Sequence, residues 1–270
     1  MKDIVITGGG SGLADAILES LESIDADYRL RLVDSMEHAG EARRWRGRTV
    51  VIQSDAEVDF GDATLVLDLS HNYVGDAQIF RPSLSSVSLL RRMLSFLDPN
   101  AIGALHGVVR EPVAEITGGV EALASQVTQL FNGRDPEPQP FGGTLAFNCR
   151  TLDDSGLIES LQTIPALNGA AISIERYQSD AFYTIHASLW MKLSTKTGFD
   201  SVLSLGNANY EEGLSIAPNT GRVDGDAEMK IYVRKVSEDW INLMVSADLE
   251  KTIWAQEAKS IVLNELGISE

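Results

Sequence analysis

Only one cysteine, Cys149, occurs in the 270 residues, so no disulfide can form within the chain and a reducing, cytoplasmic setting is expected. Cationic residues are also scarce: 22 Lys and Arg stand against 39 Asp and Glu, a formal net charge of −17. Such a surface repels phosphate backbones and acidic lipid, so neither nucleic acid nor a membrane is expected as a partner. No apolar run approaches the roughly 18 residues of a membrane span. The opening MKDIVIT runs straight into a strand-like segment, and no signal peptide is expected. Histidine is limited to His38, His71, His106 and His186, none at metal-ligand spacing with another or with Cys149, so no metal site is expected.

What is present is the composition of a folded globular chain, 44% hydrophobic and 23% charged. The first third alternates strand and helix signals. DIVIT (3–7), YRLRLVD (28–34), TVVIQ (49–53) and TLVLDLS (64–70) read as strands, and Ser11 as the N-cap of a helix through GLADAILESLESI. That alternation predicts βαβ units on a mainly parallel sheet. SLSSVSLLRRMLSFL (83–97) reads as a helix ended by Asp98-Pro99, AIGALHGVV (101–109) as a strand, and EITGGVEALASQVTQLFNG (115–133) as a second long helix. The breaker-rich GRDPEPQPFGG (133–143) marks a surface loop or a subdomain boundary. Beyond it, LNGAAISIERYQS, FYTIHASLWMKLS, EMKIYVRKV and WINLMVSAD alternate as in an antiparallel sheet, with helices at 156–164, 200–206 and 252–266. Cys149 reads as a buried thiol acting as a small hydrophobe.

The stretch VITGGGSGLADAI carries four glycines within residues 8–12, between a strand and a helix. A dinucleotide needs such a turn so that backbone can approach its pyrophosphate at the helix N-terminus. Gly8, Gly10, Ser11 and Gly12 are therefore the candidate cofactor-binding residues, with Asp34, at the end of the second strand, for a ribose hydroxyl. NAD or NADP is the possible cofactor; Asp34 and Glu37 would repel a 2′-phosphate, with Arg43 and Arg44 of ARRWRGR (42–48) the only compensating cations nearby. That arginine-rich segment otherwise reads as a solvated loop or hairpin. The glycines equally serve close packing of helix on sheet. No Tyr-x-x-x-Lys pair occurs, which disfavours a short-chain dehydrogenase.

Several stretches, in chain order, resemble the aspartate-semialdehyde dehydrogenase family, closest to its Usg-like branch: HAGEARRWRGRTVVIQSDAEVDFGDATLVLDL, GGVEALASQVTQLFNG, GTLAFNC, FYTIHASLWM and WINLMVSADLEKTIWAQEAKSIVLNEL. The resemblance implies a truncated Rossmann-like domain (1–100) and an α+β, mainly antiparallel dimerisation domain (101–250). A C-terminal helix (251–270) would pack back on the first domain. It also implies a cysteine nucleophile, a histidine acid/base and arginines for an anionic substrate. Here the nucleophile position falls near Leu84, among Ser83, Ser85 and Ser86, with no cysteine nearby. His186 matches the histidine and Arg234 a substrate-binding arginine; the other arginine position falls near Ser179, with Arg176 the closest alternative. Glu115 in PVAE stands where the family has a small glycine loop. The expectation is a homodimer through the C-terminal domain that has lost dehydrogenase chemistry and acts as a binding or scaffold protein, with a further protein partner possible. The alternative is an NAD(P)-dependent oxidoreductase acting on an aldehyde or semialdehyde without a cysteine.

Overall fold

The computed structural model describes residues 1–95, 97–194, 209–210 and 229–268. The helix expected at 200–206 lies outside them. The chain divides into two compact units, residues 1–83 with 253–270, and residues 84–252. The segment read as the first domain's last helix therefore belongs to the second unit.

The first unit is built on β1 (Lys2–Thr7), whose Ile4, Val5 and Ile6 are fully buried. It pairs in parallel with β2 (Tyr28–Asp34) on one side and β5 (Leu65–Asp68) on the other. Outward lie β4 (Arg48–Ser54) and β6 (Gln78–Phe80), also parallel, and β3 (Ala42–Trp45) closes one edge antiparallel to β4. The strand order is β3-β4-β2-β1-β5-β6. Helix α1 (Gly12–Leu21) buries Leu13, Ile17 and Leu21, and the Ser20 hydroxyl reaches Ala255 O of the C-terminal helix α5 (Ala255–Leu266) at 3.2 Å.

The expected βαβ alternation holds only at the first crossover. Between β2 and β3, β4 and β5, and β5 and β6 the chain forms no helix. Residues 55–64 read DAEVDFGDAT, in which three aspartates and a glycine favour turns over helix. Loop side chains cover the sheet instead: Tyr73, Val58, Phe60, Ala63 and Ala77 pack on Val5, Val33 and Val66. The arginine-rich segment is the β3–β4 hairpin. Its turn, Arg46-Gly47, has φ of 48° and 71°, the left-handed pair that two-residue hairpins prefer. The Arg46 guanidinium carbon lies 5.0 and 4.7 Å from the ring centres of Tyr28 and Trp45, so this cation serves the fold.

The second unit is a seven-stranded sheet in the order β11-β12-β13-β10-β7-β9-β8. Its strands are β7 (Ile102–Glu111), β8 (Cys149–Thr151), β9 (Ala171–Ser179), β10 (Thr184–Leu193), β11 (Asn209–Tyr210), β12 (Lys230–Lys235) and β13 (Trp240–Asp248). The central pairs are antiparallel, as the alternation predicted, but β9 runs parallel to β7. The long connection through α3 (Gly119–Phe131) makes that possible, because a parallel return needs a crossover. Helices α2 (Ser85–Leu94) and α4 (Leu157–Gln162) complete the unit. The breaker-rich segment is a loop inside this unit rather than a boundary. Gln126 of α3, 1% exposed, pins it: its amide donates to Glu137 O and Gly143 O and accepts from Leu145 N and Ala146 N.

Candidate functional site

The glycine turn forms as its spacing predicted. Gly8 takes a left-handed φ of 68°, and a Cβ there would meet Leu69 Cβ at 3.2 Å. Ser11 caps α1: its hydroxyl donates to Gly8 O at 2.7 Å and accepts from Ala14 N at 3.2 Å. Gly12 opens the helix. The groups a dinucleotide would use are, however, engaged within the chain. Asp34 accepts Gly10 N on one carboxylate oxygen at 2.8 Å and Ser35 N on the other at 2.7 Å. The His38 ring lies so close over Gly10 that a Cβ there would sit 2.6 Å from it. His38 contacts Glu41 at 3.0 Å, Glu41 accepts from Arg43 at 3.0 Å, and Arg43 donates to Gly10 O and lies 2.9 Å from Asp15. The hydrogen bond to Glu41 raises the His38 pKa, which favours the charged form of this chain of contacts.

The crevice at the carboxyl ends of β1 and β5 is where strand order reverses and where open α/β sheets bind ligands. Asp68 is fully buried there. Burial pulls its pKa up, but hydrogen bonds from Thr7, Arg81, Ser70 and Tyr73 N outweigh that and leave it lowered. Arg81 donates to Asp68 at 2.8 Å and to Tyr73 O at 2.9 Å. The cradle thus keeps the glycine turn and capped helix start of a dinucleotide site, with Gly10, Asp34 and Asp68 hydrogen-bonded within the chain.

In the second unit His186 lies on β10, Nδ1 2.9 Å from Ser246 Oγ of β13. Alternation along β10 buries Ile185, Ala187, Leu189, Met191 and Leu193 and turns His186, Ser188, Trp190 and Lys192 to the other face. A depression of about 370 Å³ on the sheet is lined by His186, Arg110, Ser188, Val108 and Met244. Arg234 lies over Trp190, 5.6 Å from the ring centre. Register places Arg234 in line with Asn242 and Trp190, four residues along β10 from His186, or about 13 Å. The two therefore share a sheet without forming one site, and the glycine turn belongs to the other compact unit.

The first turn of α2, where the resemblance puts the nucleophile, is Leu84 at the cap followed by Ser85 and Ser86, both fully buried. Ser85 donates from its backbone to one Glu115 oxygen at 3.0 Å and from its hydroxyl to the other at 2.7 Å. Glu115 ends the short turn after β7. Burial and the neighbouring charge of Glu111 push its carboxyl up to about 7. Arg176 is buried and bidentate on Glu111, 2.7 Å to each oxygen, and also donates to Asp153 O. The arginine offered as a substrate ligand is thus a structural partner, and Ser179 is likewise turned to Glu111 O. Cys149 is exposed on edge strand β8, not buried as expected. A three-residue strand at the sheet edge leaves its side chains in solvent.

Among the described residues no cluster of His, Cys, Asp and Glu could hold a metal ion, and no helix is long and apolar enough to cross a membrane. No protein-family model matches the chain. Aspartate semialdehyde dehydrogenase II from Vibrio cholerae, solved with ASA, superposes with a TM-score of 0.81 at 18% identity, over 99% of this chain and 98% of that one. The chain has the aspartate-semialdehyde dehydrogenase fold. A probable aspartate-semialdehyde dehydrogenase from Pseudomonas aeruginosa superposes with a TM-score of 0.77 at 16% identity, over 98% of each chain. The USG-1 protein homolog of Azotobacter vinelandii is 25% identical over 191 residues, 54% of this chain and 57% of that protein. The match spans little more than half the length of that relative. The family resemblance and its Usg-like leaning are both supported by these findings, as is the two-sheet fold class.

Sequence reasoning missed Asp68 with Arg81 and the pairing of Ser85 with Glu115. An aspartate and an arginine flanking the segment 69–80 carry no pattern of their own. Glu115 was visible only as a charge out of place in a family loop.

Proposed function

We propose that this chain is a homodimeric member of the aspartate-semialdehyde dehydrogenase fold without dehydrogenase chemistry, acting as a binding or scaffold protein in the cytoplasm. The observation that carries this reading is the first turn of α2. A serine buried on Glu115 stands where the resemblance requires a thiolate, and the only thiol is exposed at residue 149. A buried, hydrogen-bonded hydroxyl is a poor substitute for a thiolate nucleophile. The engaged carboxylate of Asp34 and the His38 ring over Gly10 support a glycine turn kept for packing.

Dimerisation is assigned to the seven-stranded unit. Trp190 is 39% exposed on its outward-facing row, with Val108, Tyr232, Trp240 and Met244 half-buried in the neighbouring strands. An apolar sheet face of this kind is the usual mark of an interface. The test has two parts. Purified protein given aspartate semialdehyde, phosphate and NADP or NAD is expected to show no turnover, and calorimetry no saturable dinucleotide binding. Sedimentation equilibrium is expected to give a dimer that Trp190→Asp converts to monomer with the fold intact. Phosphate-dependent reduction of a dinucleotide, abolished in His186→Ala, would overturn the reading in favour of an oxidoreductase.

A further inference from the structure

We propose that the Ser85–Glu115 contact is a protonation-sensitive latch, fastening the first turn of α2 to the turn between β7 and α3. The inference stands whether or not the chain has dehydrogenase activity.

The latch is anchored at both ends. On one side, Ser85 offers two donors, N–H and hydroxyl, to the two oxygens of Glu115 at 3.0 and 2.7 Å. On the other, the turn that carries Glu115 is held by Val113 N on Ala181 O and Ala114 N on Phe182 O, just ahead of β10. Loss of the contact therefore frees the start of α2 while the turn stays tied to the sheet.

The charges around Glu115 make the contact conditional. Glu111 at the end of β7 and Arg176 on β9 face it, and Arg176 already spends Nε and one terminal nitrogen on Glu111 and the other terminal nitrogen on Asp153 O. Asp154 acts on Arg176 from the loop before α4. The first turn of α2, Ser85-Ser86-Val87-Ser88, adds no charge, and neither do Ala181 and Phe182. With Glu115 protonated, its carboxyl donates to Glu111 and the cluster holds one anion and one cation. With Glu115 ionised, two carboxylates share one guanidinium, and a negative charge is left in a desolvated place. The positive end of α2 and the Ser85 donors offset that charge only in part.

Burial and Glu111 set the Glu115 midpoint at about 7 against an ordinary 4.5. A raised folded pKa means that folding takes up a proton. Its stabilising contribution is complete below the ordinary value and is lost as pH rises through the folded one.

The experiment follows the carboxyl carbons of the full chain by 13C NMR, with thermal unfolding from about pH 5 to 8. One glutamate is expected to titrate near 7, and the melting temperature to fall across that range. In Glu115→Gln that resonance is absent and the fall is flattened. The ionised carboxylate is the better acceptor for the two Ser85 donors, so amide exchange across the first turn of α2, corrected for intrinsic chemistry and for global unfolding, is expected to slow above the transition in the wild type and not in the variant. No glutamate titrating above the usual carboxylate range, or an unchanged fall in Glu115→Gln, would overturn the proposal. If Glu115→Gln does not fold, Ser85→Ala decides. Removing a donor to the carboxylate should move the high titration further up, and an unmoved titration counts against the latch.

Discussion

Arg176 shows how far a residue's role can lie from its resemblance. As the nearest arginine to a substrate-binding position it invites a catalytic reading, yet 6% exposure and two 2.7 Å bonds to Glu111 make it half of a buried ion pair. Removing one partner of such a pair leaves the other charged and desolvated. Arg176→Ala is therefore expected to lower stability by about 3–5 kcal/mol, measured by urea unfolding. Gly8 belongs to the same scale. Its φ of 68° lies in the left-handed region, and Leu69 leaves little room for a Cβ. Gly8→Ala should cost about 1–2 kcal/mol from the backbone alone, whether or not any dinucleotide is present in the unfolding experiment.

At the scale of elements, local signals were strong where a single residue type does one job. Ser11 reads as an N-cap and is one; Ser11→Ala is expected to cost about 1 kcal/mol in thermal unfolding. The strand 28–34 is found with the bounds that its alternation indicated. Local reasoning failed where an element depends on distant partners. The loop 133–143 has the composition of a boundary, but Gln126 ties it to α3 through two hydrogen bonds and the following Leu145 and Ala146 through two more. Gln126→Met would strand two N–H and two C=O groups. A loss of about 3 kcal/mol is expected, along with trypsin cleavage at Arg134 under conditions that spare the wild type. Strand β9 likewise alternates like its neighbours, and alternation alone does not distinguish a parallel from an antiparallel partner.

For the whole molecule, two buried carboxyl groups work in separate pH windows and with opposite signs. Asp68, held below the usual aspartate range, contributes stability above its unfolded value, and that contribution is lost as acid titrates its lowered folded pKa. Glu115 contributes below its ordinary value and loses that contribution as pH rises through about 7. Self-repulsion of the −17 net charge acts in the same direction as Glu115. Thermal unfolding across pH is therefore expected to show greatest stability on the acid side of neutrality, with Asp68→Asn lowering stability there and flattening the acid limb while leaving the slope on the alkaline side unchanged. The fold itself was legible as two sheets of different character because side-chain period is local. The missing crossover helices were not, since a loop that covers a sheet and a helix that covers it both bring apolar residues.

The sequence by itself determined the glycine turn, the capped first helix, the alternating strands of the second sheet and the absence of a thiol near residue 84. These follow from backbone sterics, periodicity and residue identity, which act over a few positions. Only the tertiary structure decided what the polar residues do. Asp34 faces Gly10, Asp68 faces Arg81, Arg176 faces Glu111 and Glu115 faces Ser85 across separations of up to 65 residues. A buried charge is defined by its partner and by the water it has lost, and neither is written in its neighbours along the chain.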